Sequence, residues 1–287
     1  MFLSLKIKKA VIIVLTALIT SAAGFAIIAS AIIKDSKEVE VPILMYHSIL
    51  KDESYWNDYV LSPTILEEDM IWLKEHGYTS VLVSDLVNYV NGKGSLPEKP
   101  VVLTFDDGCY NNYYYVYPLL KKYDFKALIS VVGSYSEYAC EEAQPNPTYS
   151  YLDWDDINEM RKSGRVEFAN HSYNLHTYDG NRKGASRNTN ESYDDYRHIF
   201  LTDTFKTQHL LEQNCHFTPN IYTYPFGAKC DASERLLRNS GFIVTLGVES
   251  KINVLEKGNV QCLYGMNRIN RPSYISTENF MKKYGIK

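Results

Sequence analysis

The chain has 287 residues, with 30 basic and 34 acidic side chains and a formal net charge of −4. Residues 1–34 hold four lysines and no acidic residue, so the remainder has 26 basic and 34 acidic residues and a formal charge of −8. Because nucleic acids and anionic lipids bind basic surfaces, this remainder is predicted to bind neither of them directly.

The first predicted element is an N-terminal transmembrane helix within residues 1–34. Three lysines precede the uncharged run 10–33, and Lys34 follows it. A helix of 24 residues is about 36 Å long, enough to cross a hydrocarbon core of roughly 30 Å. A cleaved signal peptide has a shorter apolar core, although Ala29-Ser30-Ala31 leaves cleavage and secretion open. The preceding lysines predict that the N-terminus stays in the cytoplasm and that the rest of the chain lies outside the cell.

The rest of the chain is long enough for one large α/β domain. Residues 35–40 are predicted to be a charged linker, 41–98 an N-terminal strand and helix extension, and 99–287 the main domain. Strands are predicted at 41–46, 79–83, 101–105, 127–132, 166–169, 220–224, 242–246 and 266–269. Because helical patterns separate them, these strands are predicted to form a parallel sheet, closed or nearly closed into a barrel.

Helix ends are marked by capping residues and glycines. Thr64 and Glu67 fit a capping box that begins one helix, and Gly77 follows its last turn. Further helices are predicted at 153–163, at 192–214, and from Asp231 to Gly241. The polar residues 179–190 are predicted to form a surface loop, which either lines a substrate groove or is a passive insertion. Five cysteines without CxxC spacing exclude a zinc finger and permit at most two disulfides.

Two adjacent carboxylates follow one of the predicted strands. The sequence Thr104-Phe105-Asp106-Asp107-Gly108 continues the apolar run 101–103. Side chains alternate along a strand, but at its tip the pleat relaxes and both acids can reach one cleft. Gly108 allows the backbone to turn sharply out of the sheet. Taken alone, the motif fits equally well a strand end followed by a helix-starting aspartate.

A histidine pair follows another predicted strand. His171 and His176 come after the mostly apolar run 166–169 and are five residues apart, so they can converge only through a turn. Two histidines and one carboxylate with open coordination positions are the ligand set of a catalytic first-row metal, most often zinc. Such a metal lowers the pKa of a bound water, and the second carboxylate is then free to accept a proton.

These motifs resemble those of a known family. Thr104–Gly108 and the His171/His176 pair resemble the first two motifs of the NodB-homology polysaccharide deacetylases, carbohydrate esterase family 4, and Tyr224-Pro225-Phe226-Gly227 resembles the third. The similarity extends from about residue 42 to residue 275. It implies a distorted (β/α)7-type barrel of parallel strands, with residues 99–287 as the NodB-homology domain.

Further segments point to one branch of that family. Leu44-Met45-Tyr46-His47-Ser48, the five-residue histidine spacing and Arg268-Ile269-Asn270 are most similar to the poly-N-acetylglucosamine (intercellular adhesin) deacetylases. The implied substrate is therefore an N-acetylglucosamine-containing cell-surface polysaccharide. The sequence leaves open whether the polymer is peptidoglycan, poly-N-acetylglucosamine or a chitin fragment.

The resemblance also implies a role for each site residue. Asp107, His171 and His176 would hold a divalent metal, zinc or alternatively cobalt or nickel, and Asp106 would be the general base. Metal-bound water would attack the acetamide carbonyl of the sugar. The metal and the backbone N–H of Phe226 would stabilise the oxyanion.

Two departures from the family pattern concern proton transfer. The third motif often begins with an arginine that orients the base, but Thr223 stands here, and Arg268 is a candidate substitute. The last motif of well-known members supplies a histidine for the leaving group, but no histidine follows His216. We therefore hypothesise that His47 is the general acid, against the alternative of a structural, hydrogen-bonded histidine.

Two other functions are compatible with the same residues. The same water attack cleaves esters, so an O-acetyl esterase acting on xylan or peptidoglycan is one alternative. A catalytically inactive cell-wall-binding module is the other, because the third and last motifs are altered. The intact acid pair and both histidines argue against this module, which needs no metal site.

Overall fold

The computed structural model describes residues 38–179 and 182–287. Its strands are β1 Val39–Val41, β2 Ile43–Tyr46, β3 Ser48–Ile49, β4 Val60–Leu61, β5 Thr79–Ser80, β6 Pro100–Phe105, β7 Ala127–Val131, β8 Val166–Asn170, β9 Tyr178–Asp179, β10 Arg182–Lys183, β11 Ile221–Thr223, β12 Val244–Leu246, β13 Asn253–Leu255 and β14 Ile269–Asn270. Its α-helices are α1 Pro63–Glu75, α2 Val83–Val90, α3 Tyr117–Tyr123, α4 Gly133–Ala139, α5 Trp154–Lys162, α6 Tyr193–Cys215, α7 Asp231–Asn239 and α8 Thr277–Lys283. Short 3-10 or π turns lie at Glu53–Tyr55, Asn112–Val116, Pro225–Gly227 and Val260–Leu263.

A curled parallel sheet is the centre of the fold. Its strands follow the order β12, β11, β8, β7, β6, β2 and β14, and β5 pairs with the start of β6. β14, the last strand of this order, pairs with β2 through Ile269 and Leu44. Met266, just before β14, bridges to Leu246 of β12, the first strand, so the segment 266–270 connects the two ends of this order. Every strand predicted from the sequence overlaps a strand of this sheet. The predicted α/β fold of parallel strands is therefore confirmed.

The N-terminal prediction falls largely outside the described residues. The predicted anchor, residues 1–34, and residues 35–37 of the predicted linker precede residue 38. Within residues 38–179 and 182–287, no helix has the length and apolar character needed to cross a membrane. Residues 40–287 form one compact unit. All five cysteines, each within the described ranges, are free.

Two local predictions differ from the structure. The capping box at Thr64 and Glu67 is wrong, because α1 begins earlier: the Ser62 hydroxyl accepts the Ile65 N–H at 3.0 Å, and Pro63 occupies the first helical position. Proline suits that position because its missing N–H would have no helical partner there. Part of the predicted loop 179–190 belongs to β9 and β10, which pair in the antiparallel direction.

The sheet brings polar side chains to one edge. Every residue of β6 and β7 is buried, as expected of parallel strands covered on both faces. Polar residues occur at the carboxyl ends of three strands of the sheet: Asp106 directly after β6, His171 directly after β8, and Thr223 as the last residue of β11. Since the strands are parallel, their carboxyl ends lie at the same edge, where ligand sites of α/β folds form.

A buried ion pair holds the segment that follows β14. Arg271 donates from Nε and Nη2 to the two carboxylate oxygens of Asp69 on α1, at 2.9 and 3.0 Å. The hydroxyls of Tyr46 and Thr277 donate to the same carboxylate at 3.1 and 2.6 Å. Both charged side chains are fully buried, so each depends on the other for compensation.

We predict that Asp69→Asn lowers the free energy of unfolding by about 3–5 kcal/mol, because it leaves the buried Arg271 guanidinium without a counter-charge. Urea denaturation measures the loss. The exposed pair of Lys251 and Glu249 provides the control, since Glu249→Gln should cause no measurable change. A loss below about 1 kcal/mol for Asp69→Asn would show that the pair is not needed for stability.

Candidate active site

A cleft of about 490 Å³ lies at the carboxyl edge of the sheet. Its lining residues are Met45, His47, Tyr59, Asp106, Asp107, His171, His176, Lys183, Phe226, Val248 and Asn270. This set contains every residue that the sequence analysis assigned to catalysis or to metal binding. The structure therefore brings all of them to one place.

Asp106 is clamped by a buried arginine. Arg268 donates from Nη1 and Nη2 to Oδ1 and Oδ2 of Asp106, at 2.7 and 2.8 Å. Its Nε donates to the Gly247 carbonyl at 2.8 Å. Burial alone would raise the pKa of Asp106, but the Arg268 charge, helped by His171, holds that pKa well below its usual range. The side chain is therefore an ionised carboxylate with a fixed orientation.

This contact answers one question that the sequence left open. Arg268, the candidate substitute for an arginine at position 223, does contact the predicted base. Thr223 is engaged elsewhere: its hydroxyl shares a hydrogen bond of 2.7 Å with the Ser130 hydroxyl, and its carbonyl accepts from His171. Both polar groups of Thr223 are thus occupied by residues other than Asp106.

Asp107 reaches the same cleft through an unusual backbone conformation. Its φ of 70° lies in the left-handed region, which aspartate tolerates better than most residues. Consecutive side chains of an extended strand would point to opposite faces. The left-handed turn at Asp107 removes this alternation, so both carboxylates of the pair line the cleft.

His171 presents one ring nitrogen to Asp107. Its Nδ1 lies 2.8 Å from the Thr223 carbonyl, which can only accept, so the ring proton is on Nδ1 and Nε2 keeps its lone pair. Burial lowers the pKa of His171 to about 4, which keeps the ring neutral. A neutral imidazole with a free Nε2 lone pair is the form that binds metal ions.

The turn that carries His176 is held by a helix. Asp203 on α6 accepts the N–H groups of Tyr173 and Asn174 at 2.8 and 2.7 Å. These bonds anchor the residues between the two histidines. The His171 and His176 rings then lie with their centroids 4.9 Å apart. The sequence analysis missed Asp203, because nothing local distinguishes it from other acids on a long helix.

The acid and the two histidines fit a divalent metal. Oδ1 of Asp107 lies 3.1 Å from His176 Nε2 and 3.6 Å from His171 Nε2, and the three ligand atoms lie within 4.8 Å of one another. Ligands of a tetrahedral zinc at about 2.0–2.1 Å are separated by about 3.3 Å, which is close to the two distances from Asp107. Oδ1 is buried and makes no aligned hydrogen bond within the described chain. A cation among these atoms would satisfy it.

Phe226 occupies a strained turn at the rim of the cleft. Its φ is 56°, and the following Gly227 has a φ of 64°. A Cβ at Gly227 would lie 2.1 Å from a methyl group of Val248, so only glycine fits there. The turn's hydrogen bonds run from Gly227 N–H to the Tyr224 carbonyl and from Ala228 N–H to the Pro225 carbonyl, and neither uses the Phe226 N–H.

His47 lies beside the predicted base. Its Nε2 is 3.9 Å from Oδ2 of Asp106, and its ring packs edge-on against Tyr59 with centroids 4.9 Å apart. Nδ1 is buried and has no hydrogen-bond partner among the described residues. This arrangement does not match a structural histidine with both ring nitrogens satisfied. The general-acid role stays a prediction.

Tyr59 and Lys183 are cleft residues that the sequence analysis did not single out. Tyr59 lies in a stretch without any recognisable motif. Lys183 belongs to the loop 179–190, for which a groove-lining role was one of two predictions, and its position in the cleft favours that role.

Comparisons with known proteins agree with this geometry. A sequence model of the family described as "Polysaccharide deacetylase" matches residues 93–244. The chain is 24% identical over 225 residues to a poly-beta-1,6-N-acetyl-D-glucosamine N-deacetylase of Escherichia coli, covering 72% of this chain and 34% of that protein. It is 25% identical over 194 residues to the protein of the same name from Staphylococcus aureus, covering 68% of this chain and 63% of that protein.

A solved structure shares the fold. The de-N-acetylase from Aggregatibacter actinomycetemcomitans superimposes with a TM-score of 0.71 at 25% identity, covering 84% of this chain and 100% of that chain. The present chain spans about a third of the length of the Escherichia coli relative and just under two thirds of the Staphylococcus aureus relative.

We predict that zinc added to metal-free protein raises its melting temperature, because a ligand that binds only the folded state stabilises that state. At a free zinc concentration of 100 times Kd, the stabilisation is about 2.7 kcal/mol. Asp107→Asn should weaken zinc binding more than about 100-fold, which exceeds the loss typical of a residue that only hydrogen-bonds to a metal ligand. Calorimetric titration measures both proteins. His198→Gln, on the exposed face of α6, is the control and should bind zinc normally. Equal affinity in Asp107→Asn and the unmodified protein would contradict the assignment.

Proposed function

The chain belongs to the polysaccharide deacetylase family, and we propose that it is a metal-dependent hydrolase that removes N-acetyl groups from an N-acetylglucosamine-containing cell-surface polysaccharide. One observation carries the proposal: two adjacent carboxylates share a cleft but have different surroundings. Asp107 faces two imidazoles, whereas Asp106 is held by Arg268. A metal site beside a separate ionised base meets the needs of amide hydrolysis by an activated water.

The metal triad is prepared for binding by its own hydrogen bonds. The Thr223 carbonyl holds the proton on Nδ1 of His171, and the Asp203 carboxylate holds the turn that carries His176. Together with Asp107, these histidines would hold a divalent metal, with zinc as the first candidate and cobalt or nickel as alternatives. When bound, the metal would supply a Lewis acid that activates water and polarises the acetamide carbonyl.

Asp106 is suited to accept the proton of the attacking water. Each carboxylate oxygen gives one lone pair to Arg268 and keeps another for a proton donor. The low pKa keeps Asp106 ionised at neutral pH, and the bidentate contact fixes its orientation. Arg268 is a positioning residue in this scheme, because it acts through Asp106.

Two further groups complete the proposed chemistry. His47 would donate a proton to the leaving amine, since its ring lies in the cleft next to Asp106 and its Nδ1 has no partner in the described structure. The backbone N–H of Phe226 would donate to the oxyanion that develops on the carbonyl oxygen. The left-handed turn keeps this N–H out of the local hydrogen bonds.

The walls of the cleft suit a sugar. The rings of Tyr59 and Phe226 are 58% and 40% exposed, so both offer apolar faces on which pyranose rings can pack. The volume lies in the range of sites that enclose ligands larger than one small group. The names of the Escherichia coli and Staphylococcus aureus relatives make β-1,6-linked poly-N-acetylglucosamine the first polymer to test.

We further propose that the enzyme acts outside the cell. Three lysines followed by 24 uncharged residues support a membrane anchor with its N-terminus in the cytoplasm. Proteolysis of intact cells, read with an antibody against residues 40–287, would test this placement. Protection of that segment in intact cells would contradict it.

We expect the zinc-loaded protein to release acetate from N-acetylglucosamine oligomers, and mass spectrometry reads which sugars lose acetyl groups. Asp106→Asn and His47→Asn should each lower kcat by about 100-fold or more, the usual contribution of a general base or acid, while zinc binding persists. Asp124→Asn makes the same chemical change at an exposed position and should leave turnover unchanged.

Three outcomes would contradict this scheme. Full acetate release by Asp106→Asn would remove it as the base. Release from acetylated xylan but not from N-acetylglucosamine oligomers would make the protein an O-acetyl esterase. Tight glycan binding by the zinc-loaded protein without any acetate release would favour the binding-module alternative.

We predict that Arg268→Lys lowers kcat about 10–100-fold with little change in KM, because lysine keeps the charge but loses the two-pronged contact with Asp106. Arg268→Met should lower the free energy of unfolding by about 3–5 kcal/mol, because Asp106 stays buried without a counter-charge. Steady-state kinetics and urea denaturation of the two variants separate positioning from stability. Unchanged kcat in a folded Arg268→Lys protein would show that the two-pronged contact is not needed for turnover.

A further inference from the structure

Lys183 is a cation in the cleft without an anionic partner among the described residues. It lines the cleft with Phe226 and Val248 and is exposed. Its ammonium makes no ion pair or hydrogen bond to any residue that the structure describes. Arg268, the buried cation at this site, is fully engaged by Asp106 and Gly247. The charge of Lys183 is therefore available to whatever enters the cleft.

The backbone around Lys183 is firmly placed. Gly184 packs so closely on the rim turn that a Cβ there would lie 2.5 Å from the Pro225 carbonyl oxygen. The Tyr196 hydroxyl donates to the Ala185 carbonyl at 2.7 Å, and Arg182 forms an ion pair with Glu191. The residues before and after Lys183 are thus fixed to the turn that carries Phe226 and to the region of α6. This anchoring places a positive charge at a defined point of the cleft wall.

The product of the proposed reaction is itself a cation. Hydrolysis of an acetamide leaves an amine on the sugar, and amines of this kind are protonated in a large fraction near neutral pH. A polymer substrate keeps each new ammonium group in the chain, next to sugars that are still acetylated. Like charges in one cleft repel each other, most strongly where water is partly excluded.

We propose that Lys183 slows the deacetylation of an acetylated sugar when the next sugar in the polysaccharide is already deacetylated. The inference rests on the proposed function, because only deacetylation creates the ammonium that Lys183 repels. An adjacent sugar that is acetylated or acidic carries no positive charge, so Lys183 does not repel it. The expected products therefore carry separated free amines rather than continuous deacetylated blocks. A repulsion between single charges at this exposure corresponds to a preference of about tenfold.

The kinetic test compares two defined substrates. One is a fully acetylated β-1,6-linked N-acetylglucosamine pentamer, and the other is the same pentamer with one internal glucosamine. The zinc-loaded protein should deacetylate the sugar beside that glucosamine about tenfold more slowly, in kcat/KM, than the same position of the acetylated pentamer. Lys183→Gln should lose this discrimination, and Lys183→Arg should keep it. Lys162→Gln, an exposed change at the end of α5, is the control and should keep it.

Sequencing of the products by tandem mass spectrometry gives a second kinetic readout. Separated amines are expected from the unmodified protein, and more adjacent amines from Lys183→Gln. An unchanged product pattern together with an unchanged rate ratio in Lys183→Gln would overturn the role of Lys183. Acetate release with that result would leave the proposed deacetylase function intact.

Binding without turnover separates the two proposals further. In an Asp106→Asn background, the pentamer with one glucosamine should bind more weakly than the acetylated pentamer. Adding Lys183→Gln should equalise the two affinities, and raised salt should reduce their difference because it screens exposed charges. Equal affinities with Lys183 present would overturn the inference whether or not acetate release is ever observed.

Discussion

The bidentate ion pair between Arg268 and Asp106 is the contact on which the cleft depends. Both side chains are buried, so the cost of removing two charges from water must be offset by well-aligned hydrogen bonds. The pair forms only if the segment 266–270 lies beside the ends of β2 and β6. The contact that orients the proposed base thus also attaches the segment 266–270, which connects the first and last strands of the sheet, to the end of β6. Folding of the sheet and assembly of the site are therefore parts of one arrangement.

A second buried ion pair of the same kind is formed by Arg271, directly after this segment. Arg271 binds the buried Asp69 of α1, while Arg268 binds Asp106 in the cleft. One pair holds the segment to the helical layer, and the other holds it to the end of β6. A substitution that breaks the Arg271–Asp69 pair would therefore displace Arg268 from Asp106, because both arginines belong to one short stretch of chain. Precise placement of a charged side chain requires such support from its neighbours.

Two adjacent carboxylates can perform different tasks because their surroundings differ. Asp106 meets a guanidinium, which keeps it ionised and oriented, whereas Asp107 lies beside the Nε2 atoms of His171 and His176. The left-handed backbone at Asp107 is what allows both to enter one cleft. Separating the roles of paired acids by environment is a general solution in hydrolases. Lys183 adds to this cleft a positive charge that no group of the described residues neutralises.

The sequence by itself determined the parallel α/β sheet and most of the residues in the cleft. Apolar runs and the polar residues that end them are local patterns, and parallel strands bring their carboxyl ends together without further information. Only the tertiary structure decided which cation meets Asp106, since Arg268 is 162 residues away and no local pattern records that contact. Long-range packing likewise decided that Lys183 reaches the cleft and that Asp203 holds the histidine turn. Such contacts depend on how distant segments pack, and packing is a property of the whole fold rather than of any short stretch of sequence.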